Sequence, residues 1–237
     1  MEFSDYLQNV IPIITLELLA VLAGAYYLRN VPALKSTKYL VVFLWITIFV
    51  ELVCAYPAIA YFSDYKYFNF VKDTPFDDNY WIYNVYIIIS YLFYIYYFRS
   101  FLKNKVLKVL FKYFMFFYFI LAVGYLFLDN IFFNGISEFA SITGTLLLVF
   151  VVVAFYFELL KSDVLLNLKH FLPLYISVGV LMFHLCITPI DIFTKYYQAQ
   201  YPYFVQLKAS VYLFANIFLY STYILGFIVC SRKKRSY

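Results

Sequence analysis

The sequence predicts an all-α integral membrane protein with seven transmembrane helices, N-terminus outside, C-terminus in the cytoplasm, and a 3+1+3 parallel internal repeat. Three observations carry that prediction. The 237 residues are 65% hydrophobic and only 13% charged, with a mean hydropathy of +0.81. A soluble domain is about half apolar and about a quarter charged, so a bilayer is the solvent that fits this composition. Apolar runs of transmembrane length recur along the whole chain, and the basic residues fall almost entirely on one set of the segments between them.

Crossing ~30 Å of hydrocarbon takes about 20 apolar residues as a helix. Such runs occupy about 10–28, 39–62, 80–98, 107–128, 136–160, 171–193 and 207–230. They are too long and too continuously apolar for the strands of a barrel, the other structure that satisfies its own backbone in lipid. The chain reads as a single membrane domain over 1–237.

Of the 18 Lys and Arg, 14 lie at the ends of spans that positive-inside bias assigns to the cytoplasm. Arg29, Lys35 and Lys38 begin this set, Arg99 to Lys112 and Lys161 to Lys169 continue it, and the Arg232 to Arg235 tail ends it. The opposite side holds Lys66, Lys72, Lys195 and Lys208 together with acids such as Glu2, Asp5, Asp64, Asp73, Asp77 and Asp78. The first span has no positive segment before it, which argues against a cleaved signal peptide. The expected location is the plasma (inner) membrane. Expected partners are the lipid bilayer, a small-molecule solute or ligand, and a cytoplasmic protein at the basic inner loops; no nucleic acid is expected. The basic tail reads as a topology anchor against anionic headgroups.

Offsetting the sequence against itself by 132 residues brings Cys54 onto Cys186, Pro57 onto Pro189, Asn84 onto Asn216 and Tyr91 onto Tyr223. Two units follow, about 8–98 and 136–230, joined by a linker helix at about 107–128. Three helices per unit plus one linker leave both units in the same orientation, so the pseudo-twofold axis runs along the membrane normal. This plan resembles that of the SWEET-type sugar facilitators and the related vitamin transporters, and the likeness covers the whole chain as architecture. In that family an Asn on helix 3 and its mate on helix 7 line the sugar site, and helix prolines act as hinges. The resemblance implies Asn84 and Asn216 as solute-lining residues, and Pro57 and Pro189 as hinges.

Ionisable side chains near the bilayer centre cost at least about 2.5–3.5 kcal/mol to insert and mark cavities or partners. Glu17, Glu51 and His184 are the mid-span examples. On the sixth span Ser177, His184, Thr188 and Asp191 form one polar stripe at helical spacing. Tyr91 accompanies Asn84 on the third span, and Tyr220 and Tyr223 accompany Asn216 on the seventh. The expected ligand-binding set is Glu51, Asn84, Tyr91, His184, Thr188, Asn216, Tyr220 and Tyr223, in a pocket on the repeat axis in the outer half of the bilayer. Within it Glu51 and His184 are close enough in depth to pair as a proton-sensitive switch. The competing reading of the same groups is interhelical hydrogen bonding, worth about 0.6 kcal/mol each. Glu17 shares a face with Ala20 and Gly24 and reads equally as part of a close helix contact.

No catalytic motif, metal-ligand spacing or cofactor fingerprint is present: there is no G-x-S-x-G, H-E-x-x-H or P-loop. The two histidines are too few for a zinc hydrolase, and the seventh span has no mid-span Lys to hold a retinal. The chain is expected not to be an enzyme and to need no cofactor or metal. The leading expectation is a transporter or facilitator for a small polar solute. The alternative is a seven-helix sensory receptor signalling to a separate cytoplasmic partner.

Overall fold

The structure, a computed structural model, describes residues 3–128, 131–194 and 202–232. Glu2 and Lys195, and the basic tail from Lys233 to Arg235, lie outside the described residues. Every regular element among the described residues is helical, and seven helical spans are long and apolar enough to cross a membrane. α1 covers Phe3–Asn30, and the second span is built from α2 (Lys35–Cys54) and α3 (Tyr56–Phe62). α4 (Tyr80–Phe101) and α5 (Lys105–Leu128) are the third and fourth spans, and the short α6 (Ile131–Asn134) leads into α7 (Glu138–Leu160). A 3₁₀ segment (Asp163–His170) precedes α8 (Leu172–Thr194), and α9 (Pro202–Ser231) closes the bundle.

The predicted second span is one continuous run, whereas the helix breaks at Ala55. Pro57 has no N–H to return to the Val53 carbonyl, and its ring crowds the preceding turn. The Cys54 carbonyl at the break is taken by the Asn79 side-chain amide, at 2.7 Å. A polar end that would be costly in hydrocarbon is thereby closed off by a residue 25 positions further on.

Helix ends elsewhere are capped by chemistry visible in the residues. Ser137 accepts from the Ala140 N–H at the start of α7, and Asn104 accepts from the Val106 N–H at the start of α5. The Glu158 carboxylate, near the end of α7, accepts from the backbone N–H groups of Lys103 and Asn104. A negative group at the N-terminus of α5 also favours the helix dipole.

The helices pack as a ring. α1 lies against α2, α2 against α4, α4 against α7, α7 against α8, α8 against α9, and α9 back against α1. α5 stands outside this ring over the seam between α4 and α7. Its buried residues are Phe111, Tyr118, Ala122 and Leu126, a narrow stripe at helical spacing, while Phe116, Phe117 and Leu121 face outward.

Small residues set the closest approaches, as expected where packing rather than hydrophobic expulsion joins helices in lipid. A Cβ at Gly144 of α7 would overlap the Tyr91 ring, and one at Gly179 of α8 would overlap the Thr222 hydroxyl of α9. Gly144→Ala is expected to destabilise the protein by about 1–3 kcal/mol by forcing the Tyr91 ring aside. Thermal unfolding of the purified protein in detergent checks this, with Gly124→Ala as the comparison because Gly124 opens onto free space.

Candidate functional site on the bundle axis

α4 supplies most of the polar groups inside the ring. Tyr83, Tyr86, Tyr94 and Tyr97 fall on one face of it, at steps of three, eight and three residues, and Tyr91 lies beside them. Four of these five hydroxyls bond to neighbouring helices, while that of Tyr97 is buried with no hydrogen-bond partner. The Tyr83 hydroxyl donates to Glu51 Oε2 of α2 at 3.1 Å, and Tyr86 shares a 2.8 Å hydrogen bond with Thr47 of the same helix. Tyr91 meets Thr145 of α7 at 2.7 Å, and Thr145 in turn meets Thr188 of α8 at 2.7 Å. Tyr94 accepts from the Tyr223 hydroxyl of α9 at 3.0 Å.

The ring is closed between α1 and α9 by the Tyr220 hydroxyl, which donates to Glu17 Oε1 at 2.7 Å. Glu17 is only 2% exposed, and its second oxygen, Oε2, is fully buried with no hydrogen-bond partner. Tyr86 and Tyr94 of α4 lie close enough to feel the charge of this carboxyl. Sequence reasoning left Glu17 out of the expected ligand-binding set. The available signal was its mid-span position, and the neighbouring Ala20 and Gly24 drew the reading toward helix packing.

Glu51 and His184 do not pair, which corrects the expected switch. Each meets α4 at a different level, Glu51 at Tyr83 and His184 at Tyr91 and Tyr94. His184 sits in an aromatic cage, its ring centroid 4.6 Å from that of Tyr91, 5.1 Å from Phe183 and 6.1 Å from Tyr94. Depth along a helix was legible in the sequence, but the direction each side chain takes around the helix depends on which neighbour intervenes.

Asn84 and Asn216 also have separate surroundings. Asn84 is completely buried and donates to the carbonyls of Phe132 (3.2 Å) and Gly135 (2.8 Å), while its Oδ1 accepts from the Ser137 N–H at 2.9 Å. It thus pins the α6–α7 connection. Asn216 is half-buried and donates to the Tyr212 carbonyl one turn back on its own helix. Pro57 lies at the α2–α3 break, whereas Pro189 lies inside the uninterrupted α8. Cys54 is buried and Cys186 exposed.

The polar stripe expected on the sixth span serves several neighbours. Ser177 bonds Tyr156 of α7 at 2.9 Å, and Asp191 accepts from the Tyr212 hydroxyl of α9. Among the described residues no group of three or more His, Cys, Asp or Glu is placed to hold a metal ion.

Two grooves lie on the outer surface of the bundle. One, of about 550 Å³, runs between α2–α3 and the 63–79 segment, with Leu52, Tyr56, Phe70, Phe76 and Trp81 among its walls. The segment beside it is held by Tyr56 donating to the Asp78 carbonyl (2.7 Å) and Tyr65 donating to Asp77 (2.7 Å). The hydrogen bond to the Asp77 carboxylate pushes the Tyr65 phenol up to about 12. The other groove, of about 390 Å³, lies between α5 and α7 near Leu107, Phe157 and Lys161.

Asn84→Ala is expected to lower stability by about 1–3 kcal/mol, the cost of leaving buried backbone groups unpaired. Asn216→Ala, which removes only a bond within one turn, should shift the unfolding temperature much less. Thermal denaturation of both variants in the same detergent compares them.

Compared with family models, with curated proteins and with solved structures, the chain finds no match.

Proposed function

We propose that this protein is a transporter or facilitator that carries a small polar solute along the axis of the helix ring. The observation that carries the reading is the order in which the helices pack. Exchanging spans one, two and three for five, six and seven turns the α1–α2 contact into α7–α8, α2–α4 into α8–α9, and α4–α7 into α9–α1. That exchange supports the 3+1+3 duplication and a pseudo-twofold axis through the ring centre, the arrangement on which alternating access operates. Side-chain hydrogen bonds between neighbouring helices of the ring support a polar interior for it. The break at Pro57 gives one half of the bundle a point of bending.

The ionisable groups do not obey the exchange. Val149 stands at the repeat position of Glu17, Phe183 at that of Glu51, and Leu52 at that of His184. A pseudo-symmetric frame with unduplicated ionisable groups holds one asymmetric site rather than two copies of one.

In this reading the N-terminus and the 63–79 segment face outward and the basic ends face the cytoplasm, following the positive-inside bias, in the plasma membrane. The receptor reading draws on a different observation, the 550 Å³ groove beside the 63–79 segment, where an external ligand would bind without entering the axis.

Cys54, buried beside the α2–α3 break, separates the two. With Cys186→Ser and Cys230→Ser, a membrane-impermeant thiol reagent is applied to right-side-out and inside-out vesicles. Labelling of Cys54 from both faces, altered by a panel of sugars, polyols and amino acids, is the result expected of a transporter. Labelling confined to the outer face overturns it in favour of the receptor. A tag after Tyr237 should be reached by protease only in the inside-out vesicles.

A further inference from the structure

We infer that Glu17 is a proton-binding site, whose carboxyl holds a proton while the ring is closed and gives it to water when the α1–α9 seam opens. The inference rests on the transporter reading for the opening step, while the bound proton stands on the geometry of the closed ring alone.

Three observations converge on it. Glu17 lies midway along α1, with about as many residues of the helix before it as after it. Burial there is nearly complete, and Oε2 has no donor directed at it. Its surroundings also lack a compensating positive charge. α9 places the Tyr220 hydroxyl on it, and the charged or titratable side chains within electrostatic range are Tyr86 and Tyr94 of α4 and another acid, Glu51 of α2. No Lys, Arg or His is among these neighbours. An isolated carboxylate in such a place is among the most expensive groups a membrane protein can insert, and proteins avoid that cost by neutralising the group.

The identity of the neutralising species follows from coordination. A sodium ion takes several oxygen ligands, and the one hydroxyl bonded to the carboxyl is already donating its hydrogen to Oε1. An organic ammonium group needs open space beside Oε2, and that atom is fully buried by protein. A proton needs neither ligands nor volume. It forms an O–H bond at Oε2 and leaves Oε1 as the carbonyl oxygen that accepts from Tyr220.

Release requires only water. When the seam opens, the Oε2–H bond breaks, the proton passes to a water molecule, and the carboxylate stays behind; closing reverses both changes. No oxidation or reduction is involved. Glu51 occupies a more exposed position nearer the Phe62 end of the second span, bonded to Tyr83, and lies close enough for its charge to be felt at Glu17.

The test is infrared spectroscopy of the full chain in lipid vesicles at neutral pH, as difference spectra of wild type against variants. A carboxylic-acid C=O stretching band, shifted by exchange into heavy water, is expected in the wild type. Glu17→Gln should remove it, and Glu51→Gln should leave it in place. Tyr220→Phe provides a second variant if Glu17→Gln does not fold: loss of its hydroxyl should move the band to higher frequency, because the carbonyl loses its donor. A wild type without the band, or a band insensitive to both Glu17→Gln and Tyr220→Phe, overturns the proton site. Loss of the band on raising the pH, in step with Cys54 labelling, supports release on opening; a band unchanged while Cys54 becomes labelled overturns that step. If Cys54 labels from the outer face alone and the Glu17 band is present, the transporter reading and the release step fail together, and the bound proton stands.

Discussion

A hydroxyl in hydrocarbon must find a partner within the protein, because neither water nor lipid tails supply one and the penalty runs to several kcal/mol. α4 turns a face of tyrosines toward its neighbours in the ring, and all of these hydroxyls but that of Tyr97 reach other helices. Tyr83 and Tyr86 fix α2, Tyr91 fixes α7 and through Thr145 reaches α8, and Tyr94 fixes α9. Each bond contributes about 0.6 kcal/mol on average, so together they add modestly to stability. Their larger effect is on specificity. Rotating α4 by a fraction of a turn would strand several hydroxyls at once, so the azimuth of every neighbouring helix is set by this one.

The same requirement explains the features at the helix ends. Asn79 closes the carbonyl left at the α2–α3 break, Asn84 gathers the backbone of the α6–α7 connection, and Glu158 closes the start of α5. These polar side chains serve the main chain. A buried Asn in a membrane bundle therefore has two competing uses, backbone closure and ligand contact, and the number of carbonyls within reach decides between them. Asn84 sits beside an irregular turn with several such carbonyls, while Asn216 sits in mid-helix with its own preceding turn as the nearest acceptor.

The seven spans were legible because a run of about twenty apolar residues has one stable form in lipid, and that signal is local. The break in the second span was less so. Pro57 and Pro189 occupy matching places in the sequence, yet only the first interrupts its helix, and the difference lies in context that includes Asn79, far along the chain. The site was legible in its depth and poorly legible in its pairings. Tyr220 and Tyr223 were recognised as facing inward, but their partners, Glu17 and Tyr94, depend on α1 and α4 meeting α9 across the ring, a contact that no local pattern encodes. Glu51 and His184 match in depth along their own helices, but their partners sit at different levels of α4, Tyr83 for one and Tyr91 and Tyr94 for the other.

The bond between Glu17 and Tyr220 has a consequence for how the chain is made. Its two ends are 203 residues apart, one on α1 and the other on α9. At translation rates of about 5–20 residues per second, the first helix waits roughly 10–40 s in the bilayer before its donor arrives. During that interval an acidic side chain lies in hydrocarbon without the helix that will cover it. Assembly therefore cannot be completed span by span, and a ribosome that stalls before α9 leaves behind an intermediate with an uncovered acid, a feature by which quality-control proteases of the membrane can tell it from the assembled bundle.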